Sequence, residues 1–181
     1  MNQPLEIERK YLIAYPDTEA LRPRCSAVYD MEQTYLLSAP GVTARVRRRV
    51  GEKEEFFHTE KERITARTHV ERERIIAREE YEQLLTTRDP AAFTICKTRY
   101  CLPHEGFTFE IDVYPFWQNV AVMEVELEGE EQAFTLPEGI TVLREVTEEP
   151  WMKNAALARH IPTEAELLCD AAKKQVPPLA I

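Results

Sequence analysis

Charged side chains recur at every second residue in several short segments of this 181-residue chain. In the segment LEIERKYLI, Glu6, Glu8 and Lys10 share one face of a strand, while Leu5, Ile7, Tyr11 and Ile13 share the other. In TARVRRRV, Arg45 and Arg47 likewise share one face. Guanidinium groups form paired hydrogen bonds with phosphate oxygens, and clustered carboxylates bind divalent cations. The spacing therefore indicates a site for a polyphosphate and metal ions, provided that the fold brings these faces together.

This alternation places the charged residues of each segment on one face, because successive side chains of a β-strand point to opposite faces. The acidic and basic segments stay separate, whereas a solvated sheet would mix the signs to form cross-strand pairs. A sheet with its charged side in water nevertheless stays an alternative interpretation. The further positions on such faces are Arg49, Thr59, Lys61, Glu71, Glu73, Lys97, Arg99, Glu110, Asp112, Glu124, Glu126 and Glu128.

Eight segments with this period-two pattern predict a mainly β (α+β) fold, an antiparallel sheet or barrel with a few helices. The predicted strands cover residues 5–14, 29–37, 42–50, 54–62, 69–77, 94–103, 107–115 and 121–129. Helices are predicted over residues 16–21, 78–87 and 150–160. A T-x-x-E capping box at Thr163 and Glu166 predicts a last helix over residues 164–175.

A closed barrel of about eight strands would turn the charged faces inward and leave the apolar faces to be covered by helices. Buried charges in such number require partners. A polyphosphate would neutralise the cations, and divalent metals would neutralise the carboxylates. The inward-facing cations of this barrel would be Lys10, Arg45, Arg47, Lys61, Lys97 and Arg99.

Composition and charge argue against several other classes of protein. The formal net charge of −9 argues against a nucleic-acid partner and against binding to anionic membranes. No apolar stretch is long enough to span a bilayer, and the N-terminal segment lacks the apolar core of a signal peptide, so we expect a cytoplasmic protein. The cysteines and histidines show no zinc-binding spacing, so any metal should have oxygen ligands, which favours Mg²⁺ or Mn²⁺.

Several short motifs follow one another in a characteristic order. EIERK (6–10) and QTYL (33–36) are followed by RVRR (45–48), HTEK (58–61), ERE (71–73), KTRY (97–100), FEIDV (109–113) and MEVE (123–126). EVT (145–147), KN (153–154) and ALA (156–158) complete the series. In type and order these motifs resemble the triphosphate tunnel metalloenzymes, also called the CYTH domain family. The resemblance covers residues 4–161. Within the family, the chain is most similar to the bacterial inorganic triphosphatase branch.

The resemblance implies an eight-stranded antiparallel tunnel, which we assign to residues 1–161, and it implies that Lys10 and Tyr35 act on or near an attacking water. Residues 162–181 lie outside the resemblance and are predicted to form a helical extension and tail. We assign the triphosphate to the cations Arg45, Arg47, Lys61, Lys97 and Arg99. We assign two Mg²⁺ or Mn²⁺ ions to the carboxylates Glu6, Glu8, Glu110, Asp112, Glu124 and Glu126. Glu71, Glu73 and His69 receive no role.

The resulting hypothesis is a metal-dependent hydrolysis of inorganic triphosphate to pyrophosphate and phosphate. One alternative is an enzyme for thiamine triphosphate or a nucleotide, including an adenylate cyclase. Another is a polyphosphate-binding tunnel without catalysis, although such a protein would need only the basic strands. The sequence does not rank the triphosphates or the two metals, and it leaves a homodimer open.

Overall fold

The computed structural model describes residues 7–63, 69–129 and 131–173. Glu6 therefore lies outside the described residues, and so does the side chain of His69. One antiparallel sheet dominates the described chain. Its nine strands are β1 (Ile7–Ala14), β2 (Ala27–Leu36), β3 (Val42–Val50), β4 (Glu54–Arg63), β5 (His69–Ile76), β6 (Ile95–His104), β7 (Phe107–Val113), β8 (Val120–Leu127) and β9 (Val142–Glu145).

The strand order across the sheet is β5-β4-β3-β2-β6-β7-β8-β1-β9. All eight strands predicted from the alternation are present, and the mainly β, antiparallel fold is confirmed. The additional strand, β9, was not predicted. It contains only four residues, VLRE, and so short a segment gives no period-two signal that separates it from a loop.

The sheet wraps around a large cavity without closing on itself. Strand β5 pairs only with β4, and β9 pairs only with β1, so both are edge strands among the described residues. Strands β1 to β8 nevertheless all contribute side chains to the cavity wall, and residues 153–155 contribute as well. The tunnel-like architecture thus agrees with the prediction. It differs in having nine strands and two edges that are unpaired among the described residues.

The outer face of the sheet carries two apolar clusters that helices cover, as the barrel interpretation predicts. Helix α1 (Thr18–Leu21) covers part of it through Leu21, and helix α2 (Arg78–Leu85) covers another part through Tyr81. The charged faces line the cavity instead of facing bulk water, so the sheet-in-water interpretation does not hold. The principal residues of the two outer clusters are Tyr11, Ile13, Leu102, Phe109, Ile111, Met123 and Val125 under α1, and Leu36, Val46, Phe56 and Ile76 under α2.

The inner face changes from charged to apolar towards one end of the sheet. Leu12 and Val122 lie two residues from Lys10 and Glu124 on the same faces, and both are buried in an apolar cluster. Helix α3 (Asn154–Leu157) and helix α4 (Glu164–Lys173) pack into this cluster through their own leucines. The C-terminal helices therefore cover the apolar end of the inner face.

The C-terminal helices begin as the sequence predicts in one case and not in the other. At α4, the backbone N–H of Thr163 donates to Glu166 Oε2 at 2.7 Å, and the backbone N–H of Glu166 donates to Thr163 Oγ1 at 3.3 Å. This is the predicted capping box. The helix predicted over 150–160 is divided into a 3₁₀ turn at Pro150–Met152 and the short α3, because Lys153 has extended backbone angles.

No helix in the described part of the chain is long and apolar enough to cross a membrane.

Candidate functional site

The cavity enclosed by the sheet has a volume of about 1140 Å³ and a wall rich in charge. Alternation within each strand explains this wall, since every second side chain points inward. The cations on it are Lys10, Arg45, Arg47, Arg49, Lys61, Arg99 and Lys153. The carboxylates on it are Glu8, Glu71, Glu73, Glu105, Glu110, Glu124, Glu126 and Glu128.

One part of the wall carries Arg45 and Arg47 of β3 and Lys61 of β4, which we call the β3–β4 cations. Two carboxylates of β5 contact them. Glu71 bridges two of these cations, with Oε1 lying 3.1 Å from Arg45 Nη2 and Oε2 lying 3.1 Å from Lys61 Nζ. Glu73 Oε2 lies 3.8 Å from Arg47 Nη1 and accepts a hydrogen bond from the Thr59 hydroxyl at 2.8 Å.

The two arginines of this group are not fully satisfied by the described residues. The Nε atoms of Arg45 and Arg47 are both buried without a hydrogen-bond partner there. Arg47 Nη2 donates only a long bond, 3.5 Å, to Gln33 Oε1. Burial and the neighbouring Arg45 lower the pKa of Arg47 to about 10. This part of the wall therefore retains capacity to bind a further anion.

A second part of the wall is built around Arg99 of β6. Its Nε donates to Asp112 Oδ1 at 2.7 Å, and its Nη2 donates to Asp112 Oδ2 at 2.7 Å and to Glu124 Oε2 at 3.2 Å. Its Nη1 is paired with Glu110, and Lys97 is paired with Asp112. We call these five residues the Arg99 network.

Lys97 and Asp112 are the innermost members of the Arg99 network, and neither lines the cavity. Burial, with the neighbouring charge of Arg99, lowers the pKa of Lys97 to about 8. Burial alone would raise the pKa of Asp112, but Arg99 and Lys97 outweigh it and hold that pKa below its usual range. The structure thus places these two predicted site residues behind Arg99, where Asp112 holds the guanidinium through two hydrogen bonds and Lys97 is paired with Asp112.

Lys10 is buried beside the acidic strands. Its Nζ lies 2.8 Å from Glu124 Oε1, on the residue directly opposite in β8, and 3.7 Å from Glu8 Oε1. Burial alone would lower the pKa of Lys10, but the charges of Glu124 and Glu8 outweigh it and raise that pKa. Lys10 therefore lies between two of the predicted metal ligands as their counter-ion.

Tyr35 lines the cavity from β2 and is almost completely buried. Its hydroxyl accepts a hydrogen bond from Gln33 Nε2 at 2.8 Å. Burial raises the pKa of Tyr35, although Arg45 acts in the opposite direction. Lys10 and Tyr35 thus face the same cavity from different strands, Lys10 with acidic partners and Tyr35 beside Gln33 and Arg45.

The remaining carboxylates lie opposite one another in the strand register. Glu8 of β1 pairs with Glu126 of β8, and Glu110 of β7 pairs with Glu124 of β8. Like charges directly opposite repel one another, and carboxylate oxygens suit a hard divalent cation. The donor chemistry therefore fits Mg²⁺ or Mn²⁺. Among the described residues, however, no three acidic, histidine or cysteine side chains are already arranged to hold a metal ion.

Several wall residues were not assigned a role from the sequence. The alternation of β5 indicates that Glu71 and Glu73 share one face, but it does not indicate which cations they pair with. Lys153 follows a 3₁₀ turn, where no periodicity indicates a cavity position. Arg49 lies with its guanidinium carbon 4.8 Å from the ring centroid of Tyr29 and 4.5 Å from that of Phe57, a contact that only the register of three strands creates.

The fold and the site define a class of domain in which a curved antiparallel sheet surrounds a cavity of cations and carboxylates. The model of the CYTH domain matches residues 4–149, and the chain belongs to the CYTH domain family. No match was found among curated protein sequences.

Solved structures agree with this assignment. A structure of the inorganic triphosphatase NE1496 is 30% identical, with a TM-score of 0.55, and the match covers 87% of this chain and 97% of that one. A second structure, of the hypothetical protein NE1496, is 32% identical with a TM-score of 0.53 and covers 87% and 99%. The PH1012 protein from Pyrococcus horikoshii OT3, at 18% identity and a TM-score of 0.50, covers 70% and 82% and shows the fold alone.

Proposed function

We propose that this protein hydrolyses inorganic triphosphate to pyrophosphate and phosphate, and that the reaction requires Mg²⁺ or Mn²⁺. The main observation behind the proposal is one cavity that collects cations from β1, β3, β4 and β6 and carboxylates from β1, β7 and β8. The similarity to the inorganic triphosphatase NE1496 supports it.

Phosphoryl transfer requires positioning and charge neutralisation more than covalent chemistry from the protein. The β3–β4 cations and Arg99 would bind the phosphate chain. The unsatisfied Nε atoms of Arg45 and Arg47 make both guanidinium groups suited to paired hydrogen bonds with phosphate oxygens. Lys97 and Asp112 would act indirectly, by holding Arg99 towards the cavity.

The metal ions would be held by the carboxylates on β1, β7 and β8, with Glu6 as a further ligand outside the described residues. When bound, such an ion lowers the pKa of a coordinated water and neutralises charge on phosphate oxygens. Lys10 contacts two of these carboxylates and would keep them oriented in the protein without metal. The described residues proposed as ligands are Glu8, Glu110, Glu124 and Glu126.

Tyr35 would complete the site as a hydrogen-bond donor. Since burial raises the pKa of its phenol, the hydroxyl keeps its proton at neutral pH and can donate to a phosphate oxygen or a water. Its neighbour Gln33 fixes the hydroxyl through the 2.8 Å hydrogen bond, so the donor is positioned before a ligand arrives.

Inorganic triphosphate suits this cavity better than an organic triphosphate. Among the described residues, neither Trp117 nor Trp151 lines the cavity: the indole of Trp117 is buried and donates to the Pro162 carbonyl at 3.0 Å, and that of Trp151 lies over Arg144. Arg49 already contacts the rings of Tyr29 and Phe57. The wall thus favours charge recognition over stacking on a base or a thiazole.

The test is a phosphate-release panel on the purified protein with triphosphate, pyrophosphate, thiamine triphosphate and ATP, each with Mg²⁺, with Mn²⁺ and with EDTA. We expect rapid release from triphosphate with metal, slow release from pyrophosphate, and none with EDTA. Equal rates on triphosphate and pyrophosphate, or a much higher rate on ATP or thiamine triphosphate, would refute the assignment.

A further inference from the structure

In the protein without substrate, two carboxylates form ion pairs with the β3–β4 cations. Glu71 uses each of its two oxygens for a different cation, Arg45 and Lys61, both at 3.1 Å. Glu73 accepts a hydrogen bond from the Thr59 hydroxyl and lies 3.8 Å from Arg47 Nη1. A phosphate group binds cations in the same manner, with separate oxygens bridging separate donors. The two glutamates therefore make, within the protein, the type of contact that a phosphate would make.

The carboxylates do not satisfy every hydrogen-bond donor of the two arginines. Among the described residues, the carboxylate of Glu73 comes no nearer to Arg47 than 3.8 Å. The buried Nε atoms of Arg45 and Arg47 have no acceptor among the described residues. An anion with more charge and more oxygens than two carboxylates would therefore satisfy this group better than Glu71 and Glu73 do.

The position of Glu71 and Glu73 allows their side chains to move away from the β3–β4 cations. Within the described part of the chain both glutamates lie on an edge strand, β5, which pairs with β4, and their side chains are 22% and 36% exposed. Asp112 of the Arg99 network, by contrast, has a side chain that is 0% exposed. The cavity thus has one set of ion pairs fixed in the interior and one set that can turn towards solvent.

We propose that Glu71 and Glu73 are internal competitors of the substrate, which an incoming polyphosphate displaces from Arg45, Arg47 and Lys61. This inference rests on the proposed function and deepens it, because the displacement sets a minimum charge for the ligand. A triphosphate offers enough oxygens to replace both carboxylates and to reach Arg99. Phosphate and pyrophosphate replace fewer contacts, and so they compete less well with the two glutamates.

The experiment measures binding without metal and without turnover. Triphosphate, pyrophosphate and phosphate are titrated calorimetrically, in EDTA, into the wild type and into the variants Glu71→Gln, Glu73→Gln and the double variant. Since partly exposed ion pairs are weak, we expect each single variant to bind triphosphate about two- to fivefold more tightly and the double variant about tenfold. The gain for pyrophosphate should be larger, so that discrimination between the two anions decreases.

The matched control is Glu60→Gln, a carboxylate of the same hairpin that is exposed and absent from the cavity wall. Its affinities should equal those of the wild type. Melting curves establish that each variant is folded, and the single variants decide the matter if the double variant is not. Unchanged or weaker binding of triphosphate by a folded Glu71→Gln or Glu73→Gln variant overturns the inference. Failure of the proposed function is distinguishable from this, since the wild type would then release no phosphate from triphosphate in the panel with metal, whatever its affinities in EDTA.

Discussion

The Arg99 network makes a quantitative prediction for Asp112→Asn. The Asp112 carboxylate accepts two hydrogen bonds of 2.7 Å from Arg99 and is paired with Lys97, and its side chain is 0% exposed. The substitution keeps the size of the side chain and removes its charge, which leaves two buried cations with less compensation. Breaking a buried ion pair from one side costs about 3–5 kcal/mol. For a chain of this length that corresponds to a decrease in melting temperature of roughly 10 °C.

The partner substitution Lys97→Met should cost less, because Asp112 would still be compensated by Arg99. We expect about 1–3 kcal/mol, the range for losing one buried hydrogen bond to a charged group. The double variant Lys97→Met, Asp112→Asn should be more stable than Asp112→Asn alone, since it no longer buries an unpaired ammonium. Glu80→Gln, at an exposed ion pair with Arg74, is the control and should change stability little.

Urea unfolding of the four variants and the wild type gives the free energies of unfolding and the coupling energy between positions 97 and 112. Additive effects of the two substitutions would refute the reasoning, and so would an Asp112→Asn variant as stable as the wild type. Either result would mean that the charge of Asp112 is compensated by something other than Lys97 and Arg99.

Three further predictions address the metal site, the phosphate site and the C-terminal helix. The double variant Glu6→Gln, Glu8→Gln should abolish metal-dependent hydrolysis and most of the rise in melting temperature that Mg²⁺ or Mn²⁺ gives the wild type, because bound metal stabilises only the folded state; an unchanged rise contradicts the metal assignment. Arg45→Ala should stay folded but lose most of its affinity for triphosphate in calorimetry, whereas wild-type affinity would remove Arg45 from the site. Leu167→Ala, at a fully buried position of α4, should lower the free energy of unfolding by about 2–5 kcal/mol, and a cost below about 1 kcal/mol would show that α4 does not complete the core.

The alternation in the sequence predicts strands and faces well because it is local. Glu8 and Lys10 of EIERK and Glu124 and Glu126 of MEVE lie on the cavity side of β1 and β8. The register brings Glu8 opposite Glu126 and Lys10 opposite Glu124. The same alternation does not predict how deeply each side chain on a face is buried. Lys97 and Arg99 belong to one face of β6, yet Arg99 lines the cavity and Lys97 is buried behind it.

Other features depend on contacts that no short segment encodes. Strand β9 is defined by its pairing with β1, in which Arg144 lies opposite Leu12, more than a hundred residues earlier in the chain. The predicted helix over 150–160 is interrupted because Lys153 has extended backbone angles and belongs to the cavity wall. The contacts of Glu71 and Glu73 with Arg45, Lys61 and Arg47 likewise depend on the pairing of three strands.

The place of β1 in the sheet has a consequence for how the chain folds during synthesis. Among the described strands, β1 comes first in the chain and lies between β8 and β9, the last two. Its neighbours in this sheet therefore do not exist until Val120 and the residues after it are made. At about 5–20 residues per second, translation from the end of β1 to the start of β8 lasts roughly 5–20 s. During that interval β3, β4 and β5 can already pair as hairpins, while β1 has neither of its neighbouring strands. The pairing of β1 with β8 and β9 is therefore a late event, and its high contact order makes it a slow one.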